Sequence, residues 1–517
     1  MNSGAYRRDW LSSDYTLIAA FAFIKLLIHL ATNIWGGYGY FRDELYYLAC
    51  ANHLDFGYVD QPPFSIYMLA LNRWLIGDSI FAIRLMPALL GAATVFLTGL
   101  IARDLGGKRF AISIACTGML ASLIALAGCA FYSMNAFEMF FWVLSAYFVL
   151  HLIKSGRGIY WIFLGIVVGI GMLNKIGITW LAAGIFFGTL FTSERRWFKT
   201  PYPYIGGVIA LLFFLPFIIW NILHDYAHVE FIRNATTQKY SSQSPLTFLT
   251  GQILQQNPLS FPLWLGGLAF YFFHREGKRF RIFGWMYSIP LIILIANGHS
   301  KPEYLAPGYS MLFAGGGILA ERLFSRRAVG WIKPAYAILI VAGGCILTPA
   351  VLPILPVDTY IRYADILGIK PDTAEGKELS RLPQFYADMF GWEEKADAVA
   401  KAYLSLTPEE QQHCGLYFTN YGRCGAIDFF GKKFGLPPSI GSHNNYWLWG
   451  PGKYDGKILI TLTNDIGNKR ELFRQVDYVG FVSDKYCMPY ENNLTIYVCR
   501  GLKLPLAVAW PRIKHYE

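Results

Sequence analysis

Charge is scarce in this chain of 517 residues: Asp, Glu, Lys and Arg together make up 15% of it, against about 25% in soluble domains. Hydrophobic residues reach 54% and aromatics 17%. The deficit is concentrated in residues 11–354, where apolar runs of membrane length recur, whereas 355–517 has ordinary soluble composition. A chain made only of soluble domains is therefore excluded. The eight cysteines form no CxxC and no zinc-ligand spacing, which removes the common metal and dithiol motifs. The first apolar run, Tyr15 to Trp35, lacks a small-residue cleavage site and is long enough to span, so it reads as a membrane segment rather than a leader. The net charge of +11 invites a nucleic-acid reading. However, no basic run alternates with aromatics in the soluble part, and nucleic acid is not an expected partner.

What is present is a regular series of spans. Runs of mostly apolar residues predict about eleven, near 15–35, 79–102, 110–131, 136–153, 159–174, 176–192, 203–223, 258–273, 282–297, 304–322 and 334–354. Basic clusters orient them. With Arg7 and Arg8 in the cytoplasm, Arg103/Lys108/Arg109, Lys154/Arg157, Arg195/Arg196/Lys199, Arg275/Lys278/Arg279/Arg281 and Arg322/Arg326/Arg327/Lys333 all fall inside. This works only if 159–192 is two spans. The expected fold is thus a polytopic α-helical membrane protein with a C-terminal extracytoplasmic α/β domain. Its divisions are a transmembrane part, 1–354, with long outer loops 36–78 and 224–257, and a soluble part, 355–517. An amphipathic helix is predicted over 392–413 and strands at 415–419, 457–463, 478–483 and 494–499. Cys414, Cys424, Cys487 and Cys499 fall in the outer part as two close pairs, so at least one of Cys414–Cys424 and Cys487–Cys499 is expected to be a disulfide.

The ionisable residues of the apolar part, apart from the inner clusters, gather on the outer side. Asp43 and Glu44, adjacent carboxylates among aromatics just after the first span, suit abstraction of a proton from a hydroxyl. They equally suit a solvated helix start, because acids favour the first turn. Asp60 and Gln61 precede a Pro pair that is a sensible structural stop as well as a site edge. Lys175 joins two spans of about 16 residues, each reaching only ~24 Å of a ~30 Å core. An ammonium at that depth calls for an anion, and a lipid phosphate is the one available, unless the side chain snorkels to the surface. Arg84 admits the same phosphate reading or a structural ion pair. Asn135, Glu138, Asn221, His224, Lys301 and Tyr304 complete the outer set.

The segments DELYY (43–47), DQPPFSIYML (60–69), YSMNAFEMFFW (132–142), GIGMLNK (169–175), WNILHD (220–225) and KPEYLAPGY (301–309) resemble bacterial glycosyltransferase family 39. That family belongs to the C-type membrane superfamily, with protein O-mannosyltransferases and lipid A aminoarabinose transferases. NYGRCGAIDFFG (420–431), GLPPSIGSHNNYWLWGP (435–451) and ENNLTIYVCRG (491–501) extend the likeness over nearly the whole chain. The resemblance implies a C-type glycosyltransferase fold in a bacterial inner membrane, with the site on the periplasmic or extracytoplasmic face. It implies inverting transfer from a polyprenyl-phosphate sugar to a lipid, glycan or protein. It maps the general base onto Asp43, with Glu44 beside it, and the donor-phosphate contact onto Lys175. An obligatory metal is not expected, although a divalent cation is compatible with the chemistry. Tyr46 and Gln61 replace the Arg and Lys that aminoarabinose transferases carry there, and Asn135 replaces a frequent Asp, which leaves sugar and acceptor open. The competing reading is a transporter or lipid flippase. Against it stand the lack of an internal repeat and of any charge near a span centre except Lys25. The soluble part also has no WWD-type motif of oligosaccharide transferases.

The charge pattern makes a topological prediction. Cysteines introduced at 193–199 and 322–333 should label only from the cytoplasm, and those in 355–517 only from outside. Labelling of all three from one side would contradict it.

Overall fold

The computed structural model describes residues 13–239, 242–325, 327–371, 378–467 and 469–517. Arg7, Arg8 and Arg326 of the expected inner clusters lie outside these residues. The protein is a polytopic helical membrane protein with a C-terminal α/β part, and each expected span coincides with helix. Six helices are long and apolar enough to cross a bilayer: Asp14–Trp35, Ile80–Asp104, Met134–Ser155, Tyr202–Leu223, Gly277–Asn297 and Ile332–Ala350. The remaining apolar helices are shorter, among them Arg109–Leu120, Ile159–Asn174, Ile178–Leu190 and Tyr309–Leu323. Pro87, Pro216 and Pro290 sit inside such helices, which apolar helices tolerate better than soluble ones.

The chain divides into two compact units. The first comprises residues 1–37, 81–219 and 242–356; the second comprises 38–80, 220–241 and 357–517.

In the first unit small residues let helix backbones meet. A Cβ on Gly165 would run into the Gly206 carbonyl, and one on Gly316 into the Leu263 carbonyl. The Ile159–Asn174 helix stops at Lys175, whose extended backbone (φ −156°, ψ 132°) breaks the helical path before Ile178–Leu190 begins. Two helices therefore run where one long apolar stretch stands in the sequence.

The second unit is built on a five-stranded sheet of order β2-β1-β3-β5-β4. Its strands are β1 Cys414–Phe418, β2 Ser439–Gly441, β3 Ile458–Thr463, β4 Phe473–Val482 and β5 Leu494–Leu502. The first three are parallel, and β5 and β4 continue antiparallel. Four strands lie at or near their expected positions; β2, only three residues long, left no periodic signal. The expected 392–413 helix is two, Trp392–Leu404 and Pro408–Gln412. Pro408 would cost a helix interior a hydrogen bond but opens a helix well, and Thr407 caps it by accepting from Glu410 N.

The Tyr421–Phe430 helix follows β1 and packs on the Arg42–Ala51 helix. Gly422 and Gly425 make this approach close, since a Cβ on the first would press on the Arg42 side chain and one on the second on the Leu45 backbone. Leu45, Trp392 and Ala426 form the buried cluster beneath.

The expected disulfides do not form: all eight cysteines are free. Cys414 and Cys424 belong to a strand and to the helix after it. The Cys424 thiol is directed to the carbonyls of Phe418 and Ile440 instead. The Cys487 thiol meets the carbonyls of Asp484 and Glu491, while Cys499 packs in the core beside the sheet. A disulfide needs facing Cβ vectors, which closeness in sequence does not by itself supply.

A buried ion cluster holds the 484–493 loop. Arg423 donates through Nε to Glu491 (2.9 Å), and its other nitrogens reach the carbonyls of Leu462 and Tyr490, both 3.0 Å away. The Lys395 ammonium lies 3.8 Å from the same Glu491 carboxylate. Removing one member of a buried ion group strands the others. Glu491→Ala should therefore cost about 3–5 kcal/mol, read as a clear drop in the thermal unfolding midpoint. An unchanged midpoint would show that the cluster is not needed.

Candidate functional site

In the second unit the acidic pair is split by its helix. Glu44 is the third residue of Arg42–Ala51, and its carboxylate turns back to accept from Phe41 N (2.9 Å), closing the N-terminus. Glu44 is fully buried. Asp43, one position earlier, points away, and its side chain retains 34% exposure. Tyr421 donates its hydroxyl proton to Asp43 Oδ1 at 2.9 Å, and Arg42 Nε approaches the same oxygen at 3.3 Å.

Arg42 is itself buried. Its Nη1 donates to Tyr490 Oη (3.0 Å) and pairs with Asp388 (3.4 Å), and its guanidinium lies over the Tyr421 ring. The Tyr421 ring in turn packs between those of Tyr46 and His443, with centroids 4.7 Å and 4.6 Å away. All these partners on 388–490 were missed from the sequence. The segments holding Tyr421 and His443 had been noticed, but nothing in their spacing ties them to residue 43.

Asp60 and Gln61 lie in the loop before the Phe64–Ile76 helix. The Tyr46 hydroxyl sits 2.9 Å from Asp60 Oδ1 and 3.1 Å from Asn445 Oδ1, and the latter also accepts from Val59 N. Burial, and then the nearby Asp60 carboxylate, push the Tyr46 phenol well above its ordinary pKa, so it stays a donor. Gln61 is fully buried, with neither amide atom hydrogen-bonded.

Asn221 and His224 serve the turn that follows the Tyr202–Leu223 helix. Asn221 Oδ1 accepts from His228 N, while His224 stacks on Trp220 and its Nδ1 donates to the Trp220 carbonyl. Trp220 Nε1 donates to Asp55 (2.8 Å), and His228 Nδ1 donates to the Val59 carbonyl (2.9 Å). This turn therefore buttresses the 55–60 loop from two points.

In the first unit a second cluster forms around Lys175. Its ammonium donates to Glu138 Oε2 at 2.6 Å and to Asn135 Oδ1 at 2.9 Å, and lies 5.2 Å from the Tyr304 ring centre. Glu138 is buried, and a Cβ on Gly177 would meet its other oxygen at 2.5 Å, so glycine at that helix entry leaves room for the carboxylate. Asn174 Nδ2 donates to the Met134 carbonyl, tying the junction to the start of the Met134–Ser155 helix. Lys301 precedes the short Pro302–Gly308 helix that carries Tyr304, and the Pro302 carbonyl accepts from Gln252. Arg84 is buried on the Ile80–Asp104 helix. Among the described residues no three His, Cys, Asp or Glu side chains group as metal ligands.

Residues 60–220 match the sequence profile of the dolichyl-phosphate-mannose-protein mannosyltransferase family. The likeness to glycosyltransferase family 39 holds. Similar relatives include two undecaprenyl phosphate-alpha-4-amino-4-deoxy-L-arabinose arabinosyl transferases from strains of Pseudomonas aeruginosa. One is 27% identical over 192 residues, covering 34% of this chain and 35% of the relative. The other is 25% identical over 322 residues, covering 55% and 58%. The matched stretch thus spans between a third and just over half of these relatives. The crystal structure of ArnT from Cupriavidus metallidurans bound to undecaprenyl phosphate superposes with a TM-score of 0.62 at 14% identity, over 93% of this chain and 97% of that one. The chain shares that fold.

The buttress under the 55–60 loop carries a pH signature. Burial pushes the His228 imidazole down to about 4, from 6.5 in an unfolded chain. The native state therefore holds it neutral, and the unfolded state binds the proton first. The stability this neutral His contributes is complete above pH 6.5 and is lost as the pH falls toward 4, about 3 kcal/mol in all. His228→Asn keeps a donor for Val59 but cannot titrate. Its unfolding midpoint should fall less than that of the wild type between pH 7 and pH 4.5. Parallel pH curves would contradict the assignment.

Proposed function

We propose that this protein is an inverting glycosyltransferase of the cell envelope, moving a sugar from a polyprenyl-phosphate carrier to an extracytoplasmic lipid, glycan or protein acceptor. The observation that carries the reading is the division of labour between two neighbouring carboxylates. Glu44 is consumed by its helix cap, whereas Asp43 is accessible and held by two donors without being enclosed. A general base needs that combination of access and fixed direction. The activity of the named relatives, which use undecaprenyl-phosphate-linked aminoarabinose, supports the same donor class.

In the proposed reaction Asp43 takes the acceptor's hydroxyl proton as that oxygen attacks the anomeric carbon from the face opposite the phosphate. The bond to the phosphate breaks and the carrier leaves as polyprenyl phosphate. Charge grows on the leaving oxygen, so preplaced cations lower the barrier. An ammonium has three donors; Glu138 and Asn135 take two of those on Lys175. The third remains for a phosphate oxygen, with Glu138 holding the ammonium in place. Arg84 is a second candidate contact. Asp60, Gln61, Asn221, His224, Lys301 and Tyr304 would shape sugar and acceptor binding. The loops 36–78 and 224–257 and the part 355–517 would then face the periplasm or cell exterior across a bacterial inner membrane.

Tyr421 has a distinct part in this reading. Its hydrogen bond fixes the direction of the Asp43 carboxylate, which makes it a positioning residue rather than a reacting group.

Asp43→Asn keeps the shape but cannot accept a proton, and transfer should fall by roughly 10²–10⁴. Glu44→Gln should act mainly on stability. Tyr421→Phe should leave activity measurable but lower kcat more than it raises KM, because the carboxylate loses the donor that fixes its direction. Near-normal transfer by Asp43→Asn would overturn the base assignment. An unchanged kcat in Tyr421→Phe would remove Tyr421 alone.

A further inference from the structure

An apolar crevice of about 390 Å³ opens between the helices Ile159–Asn174, Ile178–Leu190 and Tyr202–Leu223, within the usual size of ligand sites, roughly 300–1,000 Å³. Trp161, Val168, Ile185, Phe186 and Leu211 line it, and no charged side chain does. Phe186 and Leu211 are exposed, so the crevice is open to whatever surrounds these spans. In a membrane-spanning part that surrounding is acyl chain.

One end is closed by the 3₁₀ turn Ser193–Lys199, which contributes Phe198 to the lining and is pinned by the Tyr204 hydroxyl donating to the Phe198 carbonyl (2.9 Å). That turn carries Arg195, Arg196 and Lys199 against Glu194, a net charge of +2. All three cations are exposed. Glu194 is buried and occupied by Trp197 Nε1 (2.9 Å) and Arg196 (3.3 Å). Among the described residues Arg195 and Lys199 meet no carboxylate. By contrast Lys175, beyond the other end of the Ile159–Asn174 helix, has its charge matched by Glu138. The unmatched positive charge therefore lies at the Ser193–Lys199 end.

We infer that this crevice binds an anionic diacyl phospholipid of the bilayer, one acyl chain between the three helices and its phosphate at Arg195 and Lys199. Topology alone accounts for basic residues in that loop, but not for a crevice ending at them. A bilayer lipid, unlike the sugar carrier, needs no access to Lys175.

Gly207 makes the inference testable. It lines the crevice, and a Cβ placed there meets nothing within 4 Å, whereas one on neighbouring Gly206 would strike the Trp161 carbonyl. Gly207→Leu fills the crevice without displacing protein, and leucine suits a helix better than glycine. Purified full-length protein would be titrated with phosphatidylglycerol, phosphatidylcholine and an unglycosylated polyprenyl phosphate, with bound lipid counted by native mass spectrometry. The wild type should retain phosphatidylglycerol in preference to phosphatidylcholine. Arg195→Gln with Lys199→Gln should weaken that binding roughly 25-fold, from about a fivefold loss per cation. Gly207→Leu should abolish retention while leaving the unfolding midpoint of lipid-free protein intact. Should Gly207→Leu fail to fold, Gly207→Ala and the charge variants read the same site. Equal retention of the two phospholipids, undiminished binding in both variant classes, or complete displacement by polyprenyl phosphate would each overturn the inference.

Discussion

A buried guanidinium dictates how the second unit is put together. Arg42 cannot lie out of water without acceptors and a counter-charge. It finds them on segments hundreds of residues away, in Asp388 and Tyr490, with the Tyr421 ring across its face. The 484–493 loop that presents Tyr490 is in turn held by the Arg423–Glu491–Lys395 cluster. Satisfying one cation thus commits the C-terminal part of the chain to fold against the Arg42–Ala51 helix. Once it does, Tyr421 arrives beside Asp43. The C-terminal part then belongs to the acidic site and is more than an appendage to it.

The same economy of charge organises the first unit. A lysine at a break between two short apolar helices would be costly unpaired. Glu138, buried and given room by Gly177, matches it, and Asn135 takes another of its protons. The pairing ties the break to the start of the Met134–Ser155 helix. It also explains why the helix break falls at Asn174-Lys175, with Asn174 pinned to the Met134 carbonyl.

Much of this was legible in the sequence because the signals are local. Membrane-length apolar runs leave little choice about the spans, and short motifs such as DELYY bring Asp43 and Glu44 forward together. Which of the two is accessible was not legible, because that depends on Glu44 folding back onto Phe41 N. Lys175 and Glu138 were each singled out, yet their pairing across 37 residues needed two helices to meet. Tyr421 and Asn445 were out of reach for the same reason at far greater separation. The cysteine pairs misled in the opposite direction: proximity along the chain suggested bonds that the strand and helix geometry keeps apart.

The account comes down to a reaction, and its stereochemistry is the most direct test. Purified protein would be given a polyprenyl-phosphate sugar of known anomeric configuration together with an extract of envelope acceptors. The account expects a glycosylated product, release of one polyprenyl phosphate per sugar moved, and the opposite anomeric configuration in the product. Retention of configuration would contradict direct attack assisted by Asp43, and movement of lipid across the bilayer with no glycosyl product would contradict the enzyme altogether.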